Sequence, residues 1–86
     1  MKIQSILNQG LNILEKNKIP NPRLDVEILL SSSIKKDKKY IILNSQEFLS
    51  LEQLDEFMSL VERRKKGEPI AYILKKKKFW KDEFYV

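Results

Sequence analysis

The stretch RRKKGEPIAYILKKKKFWKDEFYV, residues 63–86, contains a helix end, a restart and a change of periodicity in one short run. Arg63 to Lys66 put cations where the negative end of a helix dipole would lie, and Gly67 suits the left-handed residue that closes such a helix. Pro69 fits the first position of a new helix, which Ile70, Ala71, Tyr72, Ile73 and Leu74 carry through one or two turns. Beyond Leu74 the pattern shifts. KKKKFWKDEFYV reads as two short strands around Lys81, Asp82 and Glu83, because aromatic and β-branched residues favour a pleated surface and aspartate favours a turn. Two strands alone are marginal in water, so a hairpin exposing Phe79, Trp80, Phe84 and Tyr85 needs a further surface to lie against. The expectation is a chain that forms the front end of a larger protein.

Upstream, SLEQLDEFMSLVERRKK predicts the helix that this stretch closes. Ser50 and Gln53 stand at capping-box spacing, and Leu51, Leu54, Phe57, Met58 and Val61 form an apolar stripe. Before it, Asp37 can cap a short helix with Tyr40, Ile41, Leu43 and also Ile42 directed inward. In KIPNPRLDVEILL, Pro20 ends one helix, Asn21 can cap the next and Pro22 suits its first position. Asp25 and Glu27 then favour the positive end of the dipole, while Leu24, Val26, Ile28, Leu29 and Leu30 give a broad apolar surface. The first helix follows from Ile3, Ile6, Leu7, Leu11 and Leu14 at three- and four-residue steps. Gly10 interrupts that pattern at a cost of about 0.5–1 kcal/mol relative to alanine, which close approach of another helix would explain.

At 86 residues the chain supports one modest core. With 42% hydrophobic and 34% charged residues it has the composition of an ordinary globular chain. Cysteine and histidine are both absent, which removes disulfides, Cys/His zinc sites, thiol nucleophiles and histidine triads. Its apolar runs are too short to span a membrane, and a cytoplasmic location is the default. Gly10 and Gly67 stand in unrelated contexts, so no glycine-rich cofactor loop is present. Asp55-Glu56 and Asp82-Glu83 are sequence neighbours that point apart, a poor basis for acid–base work. No catalytic, cofactor-binding or metal-ligating residue is assigned.

The net charge of +5 is uneven, with −1 over residues 1–62 and +6 over residues 63–86. A basic tail beside Phe79 and Trp80 fits RNA binding by phosphate neutralisation and base stacking, and it also fits a solvated strand edge protected from aggregation. Arg63 and Arg64 are read first as surface residues that satisfy the helix dipole, and second as ligands.

NPRLDVEILL (21–30), ERRKKGEPIAYIL (62–74) and FWKDEFYV (79–86), in that order and spacing, resemble the amino-terminal part of the HemK/PrmC family, the protein-(glutamine-N5) methyltransferases of peptide chain release factors. Arg63-Arg64, Gly67-Glu68-Pro69, Ala71-Tyr72 and Phe79-Trp80 together carry the resemblance, which spans almost the whole chain. It implies an all-α bundle of four or five helices over residues 1–74. Residues 75–86 would be a β-hairpin linker to a Rossmann-like methyltransferase domain that this sequence lacks. S-adenosylmethionine and the Gly-Gly-Gln glutamine of the release factor would bind in that second domain, and none of its motifs occurs here. The implied role is non-catalytic: to bind or position the release factor. Arg63, Arg64, Glu68, Pro69, Tyr72, Phe79 and Trp80 are the candidate contacts to substrate or to the second domain, and Glu68, Pro69 and Tyr72 fit equally well as residues that shape the joint between domains. Lys75 replaces a glycine usual in the family, and Lys81 or Asp82 replaces another, so the hairpin geometry is expected to differ. The implied partners are a release factor and the chain's own methyltransferase domain, with no membrane and no direct nucleic-acid contact. A stand-alone basic RNA-binding module and a helical adaptor are the alternatives.

Overall fold

The computed structural model describes the backbone of residues 1–79 and the side chains of residues 1–75. Its elements are α1 (Ile3–Lys16), α2 (Pro22–Ile34), α3 (Lys38–Leu43), α4 (Leu51–Lys65) and α5 (Ile70–Phe79), and no strand occurs among the described residues. Helices α1, α2 and α4 pack on one another, α3 leans on α2, and α5 lies against α2 and α4. Helix α2 therefore touches all the others. Its buried residues, Asp25, Val26, Leu29, Leu30, Ser33 and Ile34, face more than one neighbour, as a broad apolar surface should.

The face expected of α1 is the face it buries: Ile3, Ile6, Gly10 and Leu14 are inside, with Leu7 and Leu11 packed at the margins. At Gly10 the helices come close together. A Cβ there would lie 2.8 Å from Phe57 Cζ and 3.1 Å from Val26 Cγ1, so the missing side chain is the space that the Phe57 ring of α4 occupies. The capping box of α4 forms as its spacing predicts, with Gln53 N–H donating to Ser50 Oγ and Ser50 N–H to Gln53 Oε1. Asp37 likewise caps α3 by accepting from Tyr40 N–H at 2.9 Å.

Several expectations need correction. Asn21 makes no side-chain cap bond, because its backbone (φ −126°, ψ 66°) lies outside the extended region from which a cap reaches back to the first turn. Leu24 is exposed, since the buried side of α2 runs instead through Asp25. A six-residue helix offers one side to the core, so in α3 only Ile41 is buried, Tyr40 is half-buried, and Ile42 and Leu43 stand in solvent. Leu51, at the first position of α4, lies beyond the end of the core and is 79% exposed, whereas Leu60 is buried without having been expected. Pro69 precedes α5, its carbonyl accepting from Ile73 N–H at 3.0 Å. Most notably, α5 does not stop near Leu74. Residues 75–79, expected to begin a strand, continue the helix to Phe79. Lysine is a good helix former and its charge suits the negative end of the dipole, so the lysine run extends the helix rather than breaking it. The remainder of the expected hairpin lies outside the described residues.

The segment before α4 has a role that periodicity does not show. Ile3 and Gln4 N–H, two donors left over at the start of α1, bond to the carbonyls of Glu47 (2.8 Å) and Ser45 (3.0 Å), and Leu49 N–H bonds to the Met1 carbonyl (3.1 Å). An antiparallel bridge between Lys2 and Phe48 completes this strap. Lys2, at the cap position of α1, has no side-chain cap bond, and the strap supplies the acceptors instead. Tyr40 Oη donates to Glu47 Oε1 at 2.7 Å and ties α3 to the same segment.

Gly10→Ala should destabilise the chain by about 1–3 kcal/mol in urea unfolding, because forcing a methyl into Phe57 costs more than the helix propensity gained. Combining it with Phe57→Leu should recover part of that loss. The bond to Glu47, aided by desolvation and the carboxylate charge, raises the Tyr40 pKa above its ordinary value of 10.0. Stability from this bond is therefore complete below the unfolded phenol's pKa and lost as pH rises through the folded one. Ultraviolet titration should find one tyrosine ionising late, and Glu47→Gln should return it towards the others.

Candidate functional site

The turn from α4 into α5 follows from Gly67. With φ of +101° it takes up a conformation that side chains disfavour. Gly67 N–H donates to the Arg64 carbonyl (2.9 Å) and Glu68 N–H to the Arg63 carbonyl (3.3 Å), the paired bonds of a Schellman closure. The closure brings Glu68 back beside the two arginines. Arg63 donates through Nε (3.0 Å) and Nη2 (2.7 Å) to Glu68 Oε1. Arg64 turns the other way, giving Nη1 to the Glu68 carbonyl (2.8 Å) and Nε to Asp25 Oδ2 on α2 (2.8 Å).

The Asp25–Arg64 pair is largely out of water, with side-chain exposures of 8% and 18%. A buried carboxylate is tolerated when a charged donor meets it, and the first turn of α2 adds a favourable dipole. The pair joins the start of α2 to the end of α4, and Arg64 reaches on to the backbone that starts α5. One guanidinium thus fixes the meeting of three helices. Ile73, fully buried, holds the first turns of α5 on the core.

Of the residues singled out in the sequence, the structure brings Arg63, Arg64 and Glu68 into one cluster. Pro69 and Tyr72 follow it on the exposed side of the same joint. Phe79 is the last residue of α5 and its side chain is not described; Trp80 lies outside the described residues. Asp25 is the member that the sequence marks first as a dipole acid and only second as a functional one. Its signal was its register: it stands one helical turn before buried Leu29, on the face where an apolar residue belongs. Chemically the cluster is a clamp. Its bonded donors are directed at protein acceptors, and no group of three metal-ligating side chains occurs among the described residues.

A family profile described as the PrmC N-terminal domain matches residues 5–74, from α1 to within α5. The chain is 40% identical over 84 residues to a bifunctional methyltransferase of Rickettsia bellii, which covers 98% of this chain and 15% of that protein. It is 48% identical over 60 residues to the release factor glutamine methyltransferase of Buchnera aphidicola subsp. Schizaphis graminum, covering 70% of this chain and 22% of that protein. The corresponding enzyme of Aliivibrio fischeri is 32% identical over 80 residues, covering 93% of this chain and 28% of its own. The chain thus spans between 15% and 28% of the length of these relatives. No solved structure matches it.

Removing one partner of a buried ion pair strands the other, so Asp25→Ala and Arg64→Ala should each cost about 3–5 kcal/mol in denaturant unfolding. Asp25→Ala combined with Arg64→Ala should lose clearly less than the sum of the two single losses, and a double-mutant cycle measures the difference.

Proposed function

The chain belongs to the PrmC N-terminal domain family, and on that premise we propose that it is the non-catalytic positioning domain of a release factor glutamine methyltransferase. The reaction would be N5-methylation of the glutamine in the release factor's Gly-Gly-Gln tripeptide, carried out in a second, catalytic domain. S-adenosylmethionine would supply the methyl group there. The residues described here do not fit that cofactor: Gly10 is closed off by Phe57 and Gly67 ends a helix, so neither opens a backbone loop to a ligand. No step of methyl transfer is assigned to them.

What the bundle contributes is binding energy away from the reacting atoms. A release factor is a large substrate whose glutamine must reach a distant pocket, and contacts made elsewhere can be used to orient it. The observation that carries this reading is the Asp25–Arg64–Glu68 clamp, which holds the start of α5 rigidly on the bundle and sets Pro69 and Tyr72 on its outer side. A fixed joint of this kind transmits position; a loose one would not. The chain's net charge of +5 would aid encounter with an acidic surface, more strongly at low salt.

Methylation kinetics on the whole protein test the reading. Deleting residues 1–74 should lower kcat/KM for an intact release factor by at least about tenfold, a difference of 1.4 kcal/mol, and leave a short Gly-Gly-Gln peptide unaffected. Tyr72→Ala, an exposed substitution, should move the same ratio in the same direction without changing the fold. Equal loss on both substrates, or no loss on either, would sink the proposal.

A further inference from the structure

Away from the clamp, α1, α2, α3 and Ser45 line a cavity of about 190 Å³ that is open to solvent. Leu7 and Ile41 give it an apolar floor, and Gln4, Arg23, Glu27 and Lys38 form its rim. The orientation of Gln4 follows from a chain of donors. Lys2 Nζ can only donate, so the Gln46 oxygen faces it at 3.0 Å. Gln46 Nε2 then donates to Gln4 Oε1 at 3.0 Å, which leaves the Gln4 amide N–H₂ as the group available to the rim.

The rim has more cations than it uses. Lys38 lies 3.5 Å from Glu27, while Arg23 makes no hydrogen bond or ion pair among the described residues. Arg23 stands in the first turn of α2, where the helix dipole disfavours a cation, so its place is not explained by helix stability. Beside it, Ile42 lines the cavity yet is 65% exposed, an apolar ledge at its mouth. A free inorganic anion would satisfy Arg23 and leave this ledge wet. An acidic side chain flanked by apolar residues satisfies both.

We propose that the cavity between α1, α2 and α3 is a docking site for an acidic side chain of a protein partner, with Arg23 and the Gln4 amide binding its carboxylate and Ile42 covering an apolar neighbour. Arg23 offers a planar two-donor fork that matches a carboxylate, and Lys38 adds a second charge shared with Glu27. The site stands on its own geometry and does not depend on the methyl-transfer reading.

The test is an NMR titration of the 86-residue chain with a capped leucine–glutamate–leucine peptide, its glutamine counterpart and inorganic phosphate. The glutamate peptide should shift the Arg23 Nε–H, the Gln4 side-chain amide and the Ile42 methyls. The glutamine peptide should bind at least about fivefold more weakly, as a charge-assisted bond is lost. Arg23→Gln should weaken the glutamate peptide by a similar factor, with backbone shifts elsewhere unchanged because Arg23 is exposed. Ile42→Ser should weaken it too. Absence of shifts at these groups, equal binding of the two peptides, indifference to Arg23→Gln, or phosphate binding as tightly as the glutamate peptide would each overturn the proposal.

Discussion

The arrangement of this bundle depends on one ion pair drawn into its interior. Asp25 and Arg64 are 39 residues apart, and their 2.8 Å contact ties the beginning of α2 to the end of α4. Because Arg64 also holds the Glu68 carbonyl, the same side chain determines where α5 begins. An apolar pair of similar volume can hold two helices together as tightly, but it does not demand one register. The guanidinium does: its donors meet their acceptors in one relative placement of the three helices.

The second constraint is volume. A chain this short has a single core, and α1 and α4 approach closely enough in it for an aromatic ring to fill the place of a missing side chain at Gly10. That close approach and the Asp25–Arg64 pair act at different parts of the same α1–α2–α4 unit. One sets how near α4 comes to α1, and the other sets how α4 is aligned with α2. Helix α3 has no such hold of its own and is secured through Asp37, Ile41 and the Tyr40–Glu47 bond.

What was legible in the sequence is what short-range chemistry determines. The period of α1, the Ser50–Gln53 box, the Asp37 cap and the closing glycine at position 67 each depend on residues within one or two turns, and each forms as read. Most of the differences concern relations across the chain. Leu51, Ile42 and Leu43 are apolar at positions that no other helix covers. The strap from residues 45–49 to the start of α1 consists of backbone bonds, which leave no side-chain signature. The end of α5 was misplaced because a run of lysines was read as a strand edge, although nothing in it breaks a helix.

The candidate site was legible in its members but not in their use. In the sequence Arg63 and Arg64 read as surface charges or as ligands, and the structure directs their bonded donors to Glu68 and Asp25. A cation already paired with a buried carboxylate is a poor recruit for a partner's charge, since any new contact must compete with the old one in a place where desolvation is already paid. Recognition by charge falls more naturally to cations that have no internal partner. Among the described residues Arg23 is such a cation, set beside exposed apolar side chains rather than within a clamp. The arginines at the end of α4 hold the fold in place, while the first turn of α2 carries a charge that no described residue pairs.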